Sequence, residues 1–401
     1  MSQRHRMYGP LIELGSAMRE TWFGLFEFAE FRNLATDRSS FAISRGDLTG
    51  EDPLLVRAHS SCVTSEFFGA CDCDCAAQLD GALAEIANEG RGVVFYLPQE
   101  GRGAGLVAKA RDRMIVQASR QRITTFEAYE QMGLKPDLRR YDEVAAMSRL
   151  LEIKAPFILL TNNPDKVEAL EREKLQIAQM QPLERAAQPF NAHYLSSKRR
   201  SGHRLADTPS AAAAELPEPV VEIEPENLVG RPEIVRIAEY LLPMARTDAG
   251  RNVEGATDAL APSPIWMRLH LYIDVERGGE IVVLSCDRDP NAVPLGRIHP
   301  MPLLDRFPLR GARARQSWES MLRAIDEHGR GVVVFAPRDV RGVPMASEGA
   351  GVFDDLLRNQ IGDSECIGLV DPDVDRDAPV ATDVEFIEKR RLQDLLADSE
   401  R

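Results

Sequence analysis

Four of the six cysteines, Cys62, Cys71, Cys73 and Cys75, fall within fourteen residues, whereas Cys286 and Cys366 stand alone. In a reducing compartment such a cluster reads as metal ligands before disulfides, and the two isolated residues read as buried thiols. Thiolates are preferred soft ligands for Zn²⁺, and three protein ligands with a fourth position left to water is the catalytic pattern rather than the structural one. Cys62 ends a predicted strand, and a loop returns the chain to Cys71-Asp72-Cys73-Asp74-Cys75. In an extended segment alternate residues point the same way, so Cys71, Cys73 and Cys75 share one side and Asp72 and Asp74 face away. A closed four-cysteine site is the competing reading, and an iron–sulfur cluster a weaker one, since the usual ferredoxin spacings are missing.

Other candidates say less when read singly. The glycines of Gln99-Glu100-Gly101-Arg102-Gly103-Ala104-Gly105-Leu106 let backbone N–H groups approach a phosphate or a base, with Arg102 as fixed positive charge, yet read alone the loop is better taken as a plain turn. Asp137, just after a proline, reads as a helix N-cap, Arg139 as an exposed helical arginine, and Lys166 as a solvated lysine at a helix start.

Strand and helix must alternate to position these residues. Phe23 to Phe31, Pro53 to His59, Val93 to Leu97 and Phe157 to Thr161 are apolar and β-rich, whereas Ala76 to Asn88 and Tyr141 to Ile153 have helical spacing. The class is α/β, with a mixed sheet and flanking helices. With 401 residues, 44% hydrophobic and 28% charged, the chain has room for two or three domains with cores of their own. A net charge of −14 argues against DNA or RNA as partner and leaves a small phosphorylated molecule in a local basic pocket. With neither a signal-peptide core nor a long apolar run, the expectation is a cytoplasmic protein with no membrane partner.

The stretch from Asp207 to Pro219 is poor in large apolar side chains and interrupted by prolines, so a linker is expected at 208–228, between domains at 1–207 and 229–401. Laying Leu79 to Gly103 on Trp318 to Gly342 without a gap exposes an internal repeat. Gly90-Arg91-Gly92-Val93-Val94 meets Gly329-Arg330-Gly331-Val332-Val333, and His59 falls near His299 with a one-residue gap. The competing reading is a chance helix-turn-strand likeness. The second copy has lost chemistry: Arg310-Gly311-Ala312-Arg313-Ala314-Arg315 replaces the cysteines, and Arg338-Asp339-Val340 replaces Gln99-Glu100-Gly101.

Taken in order, these motifs resemble the GTP cyclohydrolase II family, whose members open the imidazole ring of GTP in riboflavin biosynthesis. The likeness runs from about Gly24 to Leu205. Arg57-Ala58-His59-Ser60-Ser61-Cys62 is similar to the family's R-V-H-S-E-C, and Cys73-Asp74-Cys75-Ala76-Ala77-Gln78-Leu79 to its C-D-C-x-x-Q-L. The resemblance implies Cys62, Cys73 and Cys75 as zinc ligands and leaves Cys71 aside. It implies substrate contacts from Arg57, His59, Ser60, Ser61, Gln78, Glu100, Gly101, Arg102, Thr125, Thr161 and Lys166. Thr161 and Lys166 lie in Thr161-Asn162-Asn163-Pro164-Asp165-Lys166, which is similar to T-N-N-P-x-K, and Asn191-Ala192-His193-Tyr194-Leu195 resembles the motif closing the domain. Lys135-Pro136-Asp137-Leu138-Arg139-Arg140-Tyr141 resembles A-D-L-R-D-Y, which implies Asp137 as proton acceptor and Arg139 as nucleophile toward the α-phosphate, with Mg²⁺ accompanying the triphosphate.

Three departures qualify what the resemblance implies. Arg113 stands where the family has its active-site tyrosine, Ser61 replaces the glutamate of R-V-H-S-E-C, and three extra residues fall between Ala118 and Thr125. In the family a change at the tyrosine leaves a ring-opened product that keeps its formyl group, so Arg113 is a third candidate catalytic position. Two other functions stay in view: opening of a pyrimidine nucleotide ring, as in cyclohydrolase-II-like proteins of uracil catabolism, and a noncatalytic nucleotide-binding regulator. The resemblance also implies a homodimer, which the second copy could replace by an intramolecular pseudo-dimer.

Overall fold

The computed structural model describes residues 6–183, 188–205, 214–228, 231–245, 264–276 and 278–338, together with 356, 360, 367–370 and 385–388. Cys366 and residues 339–342, which end the repeat alignment, lie outside the described residues. The chain builds two mixed eight-stranded sheets. The first contains β1 (Met7–Tyr8), β2 (Leu11–Thr21), β3 (Gly24–Asn33), β4 (Arg38–Arg45), β5 (Leu54–Ser60), β6 (Gly92–Leu97), β7 (Phe157–Leu160) and β8 (Ile177–Gln181). The second contains β9 (Glu226–Leu228), β10 (Arg231–Met244), β11 (Ile265–Asp274), β12 (Gly279–Asp287), β13 (Leu295–Pro302), β14 (Arg330–Arg338), β15 (Ile367–Val370) and β16 (Glu385–Glu388).

The two sheets share one topology. The first runs in the order β1-β2-β3-β4-β6-β5-β7-β8, and the second, read from its opposite edge, runs β9-β10-β11-β12-β14-β13-β15-β16. In each, the four pairings from the first edge are antiparallel and the remaining three parallel. Register agrees as well: His59 lies opposite Tyr96, and His299 opposite Phe335.

Helices cover the first sheet on both faces, as the parallel part of a sheet requires. α2 (Cys75–Glu89) covers one face, and α5 (Asp142–Leu150) and α6 (Pro164–Arg172) the other, while α1 (Val63–Glu66), α3 (Gly105–Ala118), α4 (Thr125–Gln131) and α7 (Ala192–Arg200) lie beyond the sheet and α8 (Arg313–His328) serves the second sheet. Alternation along β6 sends Val93 and Phe95 to the core under α5, and Val94 and Tyr96 to the core under α2. Both α2 and α8 stop at a glycine with left-handed backbone, Gly90 at φ 80° and Gly329 at φ 84°, a conformation glycine adopts without steric cost.

One apolar core crosses between the halves. Leu106, Ala110 and Met114 of α3 pack on Tyr240 and Leu242 of β10, while Phe67 and Phe68 beyond α1 meet Trp318 of α8 and Phe335 of β14. In the opposite direction Phe307 enters the first half against Phe28, Phe41 and Tyr96. Backbone bridges repeat this exchange, Thr21 pairing with Leu309 and Ala70 with Met244.

Part of the expected linker is packed. Val220 is buried against the shared core, and the Arg111 guanidinium donates to the carbonyls of Ile223 and Ile237. The second sheet begins at Glu226 rather than at 229, because β9 pairs with β10 through backbone hydrogen bonds that side-chain composition does not reveal. Among the described residues, no helix is long and apolar enough to cross a membrane.

Candidate active site

Every residue singled out from the sequence as a metal ligand, substrate contact or catalytic group lines a single cavity of about 260 Å³. It opens where β5, β6 and β7 end and where the loops leading into α1, α2, α3 and α6 converge. Chain reversals at strand ends bring distant side chains together there without breaking the sheet.

The sulfurs of Cys62, Cys73 and Cys75 lie within 4.8 Å of one another, and those of Cys62 and Cys73 are 3.7 Å apart. Bonds of about 2.3 Å to a tetrahedral zinc ion separate sulfurs by about 3.8 Å, so the trio has the right chemistry and spacing for that metal. Hydrogen bonds from the other two thiols lower the Cys62 pKa well below the ordinary range, whereas the same sharing raises Cys73. Lys109 Nζ reinforces a thiolate at Cys62, donating to its sulfur at 3.1 Å, to Thr64 Oγ1 at 2.8 Å and to Glu100 Oε1 at 2.8 Å. Burial opposes the ammonium, but Cys62 and Glu100 hold the Lys109 pKa above its usual value.

Cys71 does not join this group. Its thiol donates to the Pro243 carbonyl at 3.2 Å, and burial beside Asp72 pushes its pKa up to about 12. The expected side-sharing of Cys71, Cys73 and Cys75 fails because the chain is not extended there: Asp74 has φ −104° and ψ 11°, and α2 starts at Cys75. Asp72 and Asp74 therefore do not face away from the site. Asp72 is 3.2 Å from Arg113 Nε, and Asp74 accepts from Lys198 Nζ at 2.6 Å and Gln78 Nε2 at 2.7 Å.

The glycine-rich loop and the segment carrying Asp137 fold onto each other. Leu138 N donates to Arg102 O at 2.9 Å, and the Gln99 side chain bonds both backbone groups of Arg140. A Cβ on Gly103 would sit 2.8 Å from the Leu138 carbonyl carbon, so glycine is required for this approach. Arg102 adopts φ 55°, uncommon for a residue with a side chain, and lays its guanidinium 3.8 Å from the Phe126 ring centroid. Asp137 caps no helix. It lies in an extended loop and is paired with Arg139, whose Nε is 3.0 Å from Oδ1. Partial burial works against the Asp137 charge, but Arg139 outweighs it and holds the carboxyl below its ordinary range.

Cations cluster across the cavity. Arg57 is buried in the middle of β5 and donates to Leu160 O at 2.8 Å and Gln78 Oε1 at 2.5 Å. Lys166 is no solvated lysine: it is 5% exposed, donates to Ala58 O at 2.8 Å, and has its pKa pushed down by burial and by Arg57 and Arg139. Thr161 accepts from Asn163 N at 3.1 Å, shaping the turn into α6. His59 is buried with Nε2 2.8 Å from Glu66 Oε1, while Tyr96 donates to Glu66 Oε2 at 2.6 Å. Burial lowers the His59 pKa, favouring the neutral ring.

Of one wall of the cavity, sequence reading singled out Arg113 alone. Lys109, Asp112 and Arg113 lie on one face of α3, three and four residues apart, and are buried. Charges at this spacing, beside apolar residues on the same helix, were the signal that could have found the other two. Arg113 also lies 4.9 Å from the Tyr194 ring centroid, and Lys198 4.7 Å, so α7 closes this side.

This sheet, with a three-thiol centre and a cationic cavity at the ends of its parallel strands, defines an α/β protein with a site fitted to a metal ion and an anionic ligand. The GTP cyclohydrolase II family profile matches residues 13–182. A GTP cyclohydrolase-2 from Tolumonas auensis is 40% identical over 195 residues, covering 48% of this chain and 97% of that protein. One from Teredinibacter turnerae is 41% identical over 191 residues, 47% and 94% of the two chains. The riboflavin biosynthesis protein RibBA of Bacillus subtilis is 42% identical over 187 residues, 46% of each chain. The chain belongs to the GTP cyclohydrolase II family through its first half.

Proposed function

We propose that the chain is a zinc-dependent hydrolase of the GTP cyclohydrolase II type, which opens the imidazole ring of GTP as a step of riboflavin biosynthesis. The observation carrying this reading is the meeting, in one cavity, of a three-thiol group with zinc-like spacing, the Asp137–Arg139 pair and cations from separate stretches of chain. The names of the relatives that match the first half support it.

Cys62, Cys73 and Cys75 would hold the metal; when bound, zinc supplies the Lewis acidity that makes water a competent nucleophile near neutral pH. Lys109 and Glu100 orient Cys62 and keep bulk water from its sulfur. Asp137, ionised beside Arg139, is suited to take a proton as one water adds across an imidazole C–N bond and leaves a formamide. A second water would release formate. Arg57, Arg102 and Lys198 supply positive charge for the triphosphate, which Mg²⁺ would accompany, and Lys166 adds a hydrogen-bond donor whose charge the phosphates would favour. By family resemblance Arg139 attacks the α-phosphate, giving a proton to Asp137 as the bond to the β-phosphate breaks and pyrophosphate leaves, and water then releases the nucleotide from Arg139. Arg113, held by Asp72 and Tyr194 where the family has its tyrosine, fits a reaction that stops at the formylated product.

The second half we read as a degenerate duplicate that stands in for a partner subunit. Its sheet repeats the strand order and strand senses of the first. The contacts are reciprocal, as a two-fold interface demands: Phe68 reaches Phe335 while Phe307 reaches Tyr96, and Ala70 pairs with Met244 while Thr21 pairs with Leu309. Light scattering of the full chain tests this, with a monomer expected and a symmetric dimer built on the same surface opposing it.

The deciding experiment incubates zinc-loaded protein with GTP, UMP or uridine and reads mass. Gain of one water by GTP supports the reading, and further loss of formate and pyrophosphate shows the full reaction. Ring opening of UMP alone would transfer the chemistry to a pyrimidine, and binding without any opening would leave a nucleotide sensor.

A further inference from the structure

Asp112 is a cavity group with an unmet hydrogen bond. It is 3% exposed and lines the cavity. Its Oδ2 accepts from Thr125 Oγ1 at 2.5 Å, while its Oδ1 has no hydrogen-bond partner among the described residues. A buried carboxylate oxygen left unsatisfied is costly, so its presence beside a binding cavity marks the place of a donor that arrives with the ligand. Burial raises the Asp112 pKa above its ordinary value, although the neighbouring Arg113 charge and the Thr125 hydrogen bond act in the opposite direction.

The pairing also sets the polarity of Thr125. With its hydrogen given to Asp112, the hydroxyl offers lone pairs and no donor. This wall of the cavity therefore presents acceptors on both residues. Next to them, Phe126 and the Arg102 guanidinium form a flat stack suited to lie alongside a ring.

We propose that Asp112, acting with Thr125, is a specificity-determining acceptor for a ring N–H of the substrate's base. It would select bases with a lactam N–H, such as guanine or uracil, against adenine or cytosine, which carry a bare ring nitrogen at that place. The proposal rests on the reading that this cavity binds a nucleotide, and it deepens that reading by naming the edge that is recognised. A lactam N–H satisfies the carboxylate. A bare ring nitrogen sets lone pair against lone pair and leaves both buried and unpaired, which is the situation that gives polar sites their largest discrimination.

The test is equilibrium binding of GTP, ATP, UTP and CTP to zinc-loaded full-length protein and to Asp112→Asn, whose amide keeps the shape and adds a donor. The parent should favour GTP over ATP by roughly 100-fold or more, and D112N should narrow the ratio by at least roughly tenfold, weakening GTP and strengthening ATP. Zinc content and Tm, measured alongside, separate recognition from loss of fold. Asp112→Ser is the second variant if the amide does not fold. A parent preference that D112N leaves unchanged overturns the Asp112 assignment while the cyclohydrolase reading stands. Failure of the parent to bind or open GTP, together with a UTP-over-CTP preference that D112N narrows, sinks the GTP reading and supports Asp112. A parent that discriminates within neither pair overturns the assignment.

Discussion

The parallel strand ends of the two sheets are built alike and filled differently. In the first, His59 at the end of β5 hydrogen-bonds Glu66, which also accepts from Tyr96, and α2 begins with Cys75 at the edge of an open cavity. In the second, the equivalent His299 meets the Ala314 carbonyl at 2.8 Å and is surrounded by Phe67, Trp318 and Phe335. Counting back from the matching caps at Gly90 and Gly329, Ala312 and Ala314 occupy the positions of Cys73 and Cys75. One topology thus supports either a reactive hollow or a packed wall, and a few side chains at the strand ends decide between them. The wall in turn steadies the hollow, because Trp318 Nε1 donates to Phe68 O at 3.0 Å and Arg315 to Glu66 O at 2.5 Å, fixing the turn that carries Cys62.

The contrast breaks most sharply at the thiols. Cys73→Ser should remove bound metal and ring opening together, with activity down by roughly a thousandfold or more, read by metal analysis beside turnover. Ring opening that persists in metal-free protein would refute the thiol-centre account. Trp318→Ala should cost about 3–5 kcal/mol in denaturant unfolding, because it empties the core shared by the halves. A loss below about 1 kcal/mol would mean that the halves do not rely on each other.

Smaller effects sharpen the comparison. Lys109→Met removes the cation held on Cys62 and should weaken metal binding by roughly 10–100-fold, measured by competition with a chelator. In the second half Glu239 is held at about 2, first by the His270 imidazole, whose Nδ1 lies 3.2 Å away, and also by Arg268. A folded pKa below the unfolded value of about 4.3 means stability that is full above pH 4.3 and lost as pH falls toward 2. Glu239→Gln should therefore cost about 2 kcal/mol at pH 7 and progressively less below pH 4, and a penalty independent of pH would refute the linkage. Arg113→Tyr probes the departure from the family: formate released per ring opened should rise, by a factor read directly from the product ratio.

Much of the first half was legible in order and type. The strands at 24–33, 54–60, 92–97 and 157–160 lie where apolar, β-rich runs occur, within a few residues of the expected bounds. By contrast, β2 and β4 went unread: seven successive residues of β2 are exposed, which leaves little apolar signal. The burial of Lys166 was equally invisible, since a lysine after T-N-N-P looks the same whether α6 begins in water or against Ala58.

By itself the sequence determined which residue types are available and in what order: four clustered cysteines, three of them singled out by the family motif, a glycine-rich turn, and a second helix-turn-strand unit lacking both. These are local properties, set by side-chain chemistry and backbone freedom. Tertiary structure alone decided that Cys71, which the family motif leaves aside, turns its thiol to the Pro243 carbonyl, that Asp72 and Asp74 turn toward cations, and that Asp112 keeps an unmatched oxygen in the cavity wall. Each of these depends on contacts between segments far apart in the chain, where burial and charge are set by neighbours that no local window contains.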